Sequence, residues 1–187
     1  LRLLVIGGGG GVGQAAIRLS KALTDWHVTA TARRPASQAA CQAAGADTVI
    51  SHTDIDCHEE NQYDVILCCT EPTPYWHSMA TTIASEGRLH LIVDALGPVN
   101  LNRFKPKSVT IRWEFMFTRS HGSDEQRRQQ GRILHHIAAM IDENRLAVPA
   151  IQEVPDCTVE HLTQAWDYQR TGQCTAKQVV LFQPPVK

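Results

Sequence analysis

The residues of this chain best suited to chemistry have no side chains. Five glycines run from Gly7 to Gly11, and Gly13 follows Val12. One register fits the spacing G-x-G-x-x-G, namely Gly8, Gly10 and Gly13; a start at Gly7 puts Val12 where the third glycine belongs. In that spacing the first glycine makes a tight turn. The second lets the backbone approach a pyrophosphate, and the third lets a helix pack closely on a strand. The N–H groups at the helix start, here around Gly11 and Val12, then bind phosphate oxygens with help from the helix dipole. A flexible linker is the other reading, but each glycine loses much backbone entropy on folding. A linker would also not be flanked so tightly by an apolar strand pattern and a periodic helix pattern.

A second feature bears on which nucleotide would bind. Folds of this kind usually place a carboxylate about 20 residues beyond the glycines to hold the adenosine ribose. Here that position falls at Ala32, with Arg33 and Arg34 immediately after. No acid repels a 2′-phosphate, and guanidinium forks suit one. Hydrogen bonds to charged groups contribute about 1.5–3 kcal/mol, so one good contact favours the phosphorylated cofactor by roughly ten- to a hundredfold. The expected cofactor is NADP; a solvated arginine pair at a strand end is the alternative. Cys69 and Thr70, and then Val93, Asp94 and Ala95, end two further apolar runs. Ligands bind outside the carboxyl ends of strands in open α/β sheets, so these residues are candidates for the nicotinamide side, with plain loop as the alternative.

Other chemistry is thinly represented. No paired carboxylates and no nucleophile–base set stand out. His77, His90 and His121 are possible proton donors, but a lone histidine is more often structural or exposed, and no catalytic residue is assigned. His52, Cys57 and His58 lie close together, as do Cys157 and His161. Neither set has the usual spacing of a zinc site, so no metal ligand is assigned. The six cysteines read as small core or surface residues of a reducing cytosol. A formal net charge of −1 gives no electrostatic case for nucleic acid or an anionic membrane. No apolar run approaches the ~20 residues of a membrane span, and no signal peptide is visible. The 187 residues open directly on a strand pattern without Met, which suggests a piece of a longer protein.

The elements that must position these residues alternate. Leu3 to Ile6 form a short apolar run typical of a strand buried on both faces. Val12, Ala16, Leu19 and Leu23 then mark the apolar stripe of a helix. A strand at 27–32 leads to Pro35, which suits the first turn of a helix running to Ala44, with Gly45 as a left-handed stop. Strands at 47–51 and within 62–70, a helix at 74–84 and a strand at 87–95 follow. Repeated strand–helix–strand units demand right-handed crossovers and a parallel sheet covered on both sides: an α/β, Rossmann-type doubly wound fold. A long strand at 108–117 comes next. Ser123 and Gln126 are spaced as a capping box, ahead of a helix with Ile133, Leu134, Ile137, Met140 and Ile141 on its core face. Then come a strand at 150–154, a helix capped by Thr158 carrying Val159, Leu162 and Trp166 and stopped by Gly172, and a strand at 177–182.

The runs GGGGGVGQAAIRLSK and VTATARRPASQAACQAAGADTVI resemble the cofactor domain of medium-chain dehydrogenases, in particular the quinone-oxidoreductase branch. The stretch EGRLHLIVDALGPVNLNRFKPKSVTIRWEFMFTRS resembles the subgroup named zinc-type alcohol dehydrogenase-like proteins, with WEFMFTRS as its most specific part. The resemblance spans Leu3 to Phe182. It implies a dinucleotide domain over residues 1–150 and, over 151–187, a segment returning to a GroES-like catalytic domain that is otherwise absent. It implies hydride transfer between NADPH and a quinone, enone or other carbonyl or alcohol, by a protein of which this chain is the cofactor-binding part and is inactive alone. A nucleotide-sensing module without catalysis is the alternative. The resemblance puts cofactor contacts at Gly10 to Gly13, at Arg33 and Arg34, and near Phe115 and Phe117; as the alternative, these aromatics are core residues of an edge strand. It implies a homodimer joined through strand 109–117, whose long apolar edge is a liability if left open. In zinc-dependent members the zinc ligands lie mainly in the absent part. The unbroken glycines at 7 to 11 depart from the family pattern. They should loosen the loop and weaken cofactor affinity through ordering cost unless the loop is packed.

Overall fold

The computed structural model describes residues 1–182. The chain divides into two compact units, one from Leu1 to Ala147 and one beginning at Val148. In the first unit six strands form one sheet: β1 (Arg2–Ile6), β2 (His27–Thr31), β3 (Thr48–Ile50), β4 (Tyr63–Cys68), β5 (Ile83–Leu91) and β6 (Thr110–Trp113). Their order is β3-β2-β1-β4-β5-β6, and every pairing is parallel. β1 therefore lies at the centre, where the strand order reverses and a crevice opens outside the carboxyl ends. This is the doubly wound α/β sheet that the alternating pattern predicts.

Successive residues of β1 point to opposite faces. Leu4 and Ile6 enter one buried cluster with Ile66, Met79, Leu89 and Phe104, while Leu3 and Val5 enter another with Ile17, Val28, Ala30 and Cys41. The helices of this unit are α1 (Gly11–Leu23), α2 (Pro35–Ala43), α3 (Trp76–Thr82) and α4 (Asp124–Asp142). Pro35 opens α2, and Gly45, at φ +101°, follows its end. Ser123 and Gln126 form the capping box of α4, with Gln126 accepting from the Ser123 N–H at 2.7 Å.

Four expectations for this unit need correction. The stripe of Val12, Ala16, Leu19 and Leu23 is not what α1 buries; the buried residues are Gly13, Gln14 and Ile17, and Val12 is 55% exposed. Close packing of Gly13 on the glycine turn sets the rotation of the helix and overrides its apolar stripe. On α4 only Met140 is buried, and Ile133 and Leu134 are exposed. β5 begins at Ile83 rather than at 87 and ends at Leu91 rather than 95, so Val93 lies in the following loop. The early start is possible because the register against β4 shifts near Val65, with Glu86 at φ +60°. β6 stops at Trp113, not at 117, so Phe115 and Phe117 are not strand residues. Glu114 N–H still donates to Leu91 O at 2.8 Å, but β5 ends there and offers nothing further to pair with.

The second unit holds β7 (Ile151–Val154), α5 (Val159–Arg170) and β8 (Lys177–Val180), with β7 and β8 parallel. Thr158 caps α5 by accepting from the His161 N–H at 3.2 Å. β8 ends two residues short of the expected strand, and Val159 and Trp166 on α5 are exposed.

Candidate functional site

The glycine turn links β1 to α1 and is fastened on several sides. Gly8 N–H donates to Thr31 O at 3.0 Å, Gly10 N–H to Gly7 O at 3.2 Å, and Gln14 Nε2 to Gly9 O at 3.0 Å. A Cβ at Gly13 would lie 2.5 Å from Gly7 O, and one at Gly9 would lie 2.7 Å from Ser37 Cβ of α2. Those two glycines are there for close packing. A Cβ at Gly11, by contrast, would meet nothing within 4 Å. The turn is therefore packed at Gly9 and Gly13 and open at Gly11. Gly10 caps α1 without any side-chain hydrogen bond, and no acid stands in the first turn. The first N–H groups of a helix have no partner within it, so those of Gly11 and Val12 face an open cradle suited to an anion.

The next corner lies where β2, β3 and β4 end. Arg33 follows β2 and is exposed; Arg34 is half-buried and precedes α2, where its carbonyl accepts from Gln38 N–H at 2.9 Å. Thr31 at the end of β2 accepts from Gly7 N–H at 3.1 Å and lies 2.6 Å from His52 Nδ1. The His52 ring is tilted against Tyr75, with centroids 5.6 Å apart. Burial, and then the charge of Arg33, hold the His52 imidazole below its ordinary pKa. Thr31, His52 and Tyr75 are absent from the sequence-derived site. In the sequence His52 stands out only for its proximity to Cys57 and His58, which gives no hint of a link to the glycine turn.

Further along the same edge, Cys69 and Thr70 come against the turn. A Cβ at Gly7 would lie 3.6 Å from the Cys69 Cβ and 3.7 Å from the Thr70 Cβ. Burial pushes the Cys69 thiol up to about 12 and that of Cys68 up to about 11, so neither is a nucleophile at neutral pH. Glu71 ties the loops after β4 and β5 together by accepting from the N–H groups of Thr73 and Leu96, at 2.9 and 3.1 Å. Val93 is partly exposed in the loop so held. Phe115 and Phe117 pack edge to face, 5.5 Å apart, and both are exposed. The sheet being parallel, all these candidates follow carboxyl ends of strands and share one edge. The three histidines do not converge: His77 bonds Arg103 at 2.7 Å, His90 lies 3.4 Å from Glu114, and His121 stacks on Phe117. Among the described residues no three His, Cys, Asp or Glu side chains are grouped as a metal site, and no helix is long and apolar enough to cross a membrane.

A parallel sheet in this order, with an uncapped glycine-started helix at the point of reversal, defines the dinucleotide-binding class of α/β domain. The chain belongs to the zinc-binding dehydrogenase family, whose sequence model matches residues 44–180. A zinc-type alcohol dehydrogenase-like protein of Staphylococcus aureus is 30% identical over 168 residues, 87% of this chain and 50% of that protein. A Rhizobium etli protein described as a zinc-dependent alcohol dehydrogenase superposes with a TM-score of 0.83 at 30% identity, over 96% of this chain and 54% of its own. The quinone oxidoreductase of Pseudomonas syringae pv. tomato shares the fold, with a TM-score of 0.73 at 18% identity over 96% of this chain and 56% of its own. The chain thus spans about half the length of the curated relatives it matches. The described residues supply no donor set for the zinc in the family's name.

Proposed function

We propose that this chain is the NADP-binding part of an oxidoreductase that moves hydride between NADPH and a quinone, enone or related carbonyl or alcohol. One observation carries the reading. The uncapped start of α1 shares the sheet edge with Arg33 and Arg34, where no carboxylate stands at the end of β2. The N–H groups of Gly11 and Val12 hold the pyrophosphate, with Gly8, Gly10 and Gly13 shaping the turn. Arg33 and Arg34 receive the 2′-phosphate. Cys69, Thr70 and Val93 line the nicotinamide side, with Phe115 and Phe117 beyond. The nicotinamide supplies the hydride when bound; the task of these residues is to bind and orient it. Groups that orient substrate and stabilise charge on its oxygen belong to the remainder of a longer protein. The isolated chain therefore binds cofactor with little or no turnover. Family membership supports the redox class.

Calorimetric titration of the purified chain with NADPH and NADH at fixed moderate salt tests this. The expected result is NADPH binding at least about tenfold tighter, with the preference lost in Arg33→Ala. Equal affinities, or no binding of either nucleotide at millimolar concentration, overturn the reading.

A further inference from the structure

The bond between Thr31 and His52 does more than join the end of β2 to the segment after β3. A threonine hydroxyl has one proton to give and two lone pairs. One lone pair accepts from the Gly7 N–H at 3.1 Å, which leaves the hydroxyl proton and the second lone pair for His52 Nδ1, 2.6 Å away. With the hydroxyl donating to Nδ1 the neutral imidazole carries its own proton on Nε2; with the second lone pair used, that proton sits on Nδ1, and in either case Nε2 has no protein partner among the described residues. His52 is thus wired to the glycine turn through Nδ1 and keeps Nε2 for a ligand.

The charges around the ring are few. Arg33, two residues beyond Thr31, is the charged group that acts on it. Tyr75 packs beside it as a neutral phenol, and the field of Glu71 bears on that phenol. Glu71 itself is engaged by Thr73 and Leu96. Asp54, on the same segment as His52, is exposed and accepts from Thr53 Oγ1 at 3.1 Å. Burial of the ring, and then the charge of Arg33, disfavour a second positive charge here and hold the imidazole below its ordinary pKa.

A phosphate dianion reverses that balance. Drawn to Arg33, it favours the imidazolium, which donates from Nε2. Thr31 then accepts from Nδ1–H on its second lone pair while keeping Gly7. We propose that His52 is a specificity-determining residue of the cofactor site, reading the 2′-phosphate by taking up a proton from the medium as the phosphorylated dinucleotide binds. This rests on the NADP reading above. An unphosphorylated ribose brings no charge and leaves the ring neutral. The preference for NADPH over NADH must then grow as pH falls toward about 6, where the phosphate itself begins to protonate.

The experiment is calorimetry of the full chain with NADPH and NADH across that range, in buffers of different ionisation enthalpy, alongside NMR titration of the His52 ring. Proton uptake is expected with NADPH and not with NADH, and the His52 midpoint is expected to rise by at least about one unit, a tenfold change in proton affinity. A phosphate beside Arg33 would release protons instead, so the sign separates the two sources. His52→Gln keeps a donor and an acceptor but cannot charge; it should abolish the uptake and make the NADPH preference flat above pH ~7. Selective NADPH binding with an unmoved His52 midpoint overturns this proposal and leaves the NADP reading standing. Equal binding of the two nucleotides, or none, overturns both. The ring titration uses the unaltered chain and decides the matter even if the variant fails to fold.

Discussion

One methyl group separates two kinds of glycine in the turn. At Gly13 an added Cβ meets backbone, 2.5 Å from Gly7 O and 2.7 Å from Gly8 Cα, which no side-chain rotation relieves. Gly13→Ala should therefore lower stability by about 1–3 kcal/mol in urea unfolding. Gly11→Ala has open space around its Cβ and should leave stability unchanged or raise it by up to about 1 kcal/mol. It should nonetheless weaken dinucleotide binding, because the space it fills is the proposed phosphate cradle. The spacing of Gly8, Gly10 and Gly13 was legible in the sequence, since each has a place in a known geometry. The role of Gly9 was not, because it depends on where α2 puts Ser37. His52 was hidden for the same reason: its partner Thr31 lies 21 residues earlier and meets it only once β2 and β3 are paired.

Between elements, two charged side chains act as fasteners. Asp47, just before β3, accepts from the Val28 N–H at 2.7 Å and from Lys21 Nζ at 2.9 Å, joining α1, β2 and β3. The Val28 bond, and then Lys21, hold its carboxyl below the ordinary 3.8 against an opposing effect of burial. The unfolded chain takes up this proton first as pH falls. The stabilisation is therefore complete above the ordinary value and is lost as pH falls through the lower folded one. Asp47→Asn should flatten the acid limb of the stability profile, read as unfolding midpoints between about pH 2 and 6. Lys107 donates to the carbonyls of Ala80, Thr81 and Ile83, at 2.9, 2.6 and 2.8 Å, and so caps the end of α3. Lys107→Met should cost about 1–2 kcal/mol in the same assay, a range reduced for its partial exposure. The existence and order of elements were legible because the apolar runs alternate in period. The ends of β5 and β6 were not, because a register shift sets the first and the length of the neighbouring strand sets the second.

At the scale of the whole molecule, β6 is an outer strand of the sheet. Glu114 N–H points inward to Leu91, so by alternation the Trp113 N–H points outward. We propose that this edge pairs with a second copy of the chain. Trp113→Pro, which removes an outward donor and spares the pairing with β5, should turn a dimer into a monomer by light scattering with the sheet intact. An unaltered dimer, or a wild-type monomer, counts against it. The central place of β1 also has a consequence in time. Leu3 to Ile6 are at most 4% exposed in the finished fold, and their second edge is covered by β4, which ends at Cys68. At about 5–20 residues per second, the most apolar strand leaves the ribosome with one edge open for roughly 3–12 s. A nascent-chain binding factor that recognises short apolar stretches would find its first target at the very start of this sheet.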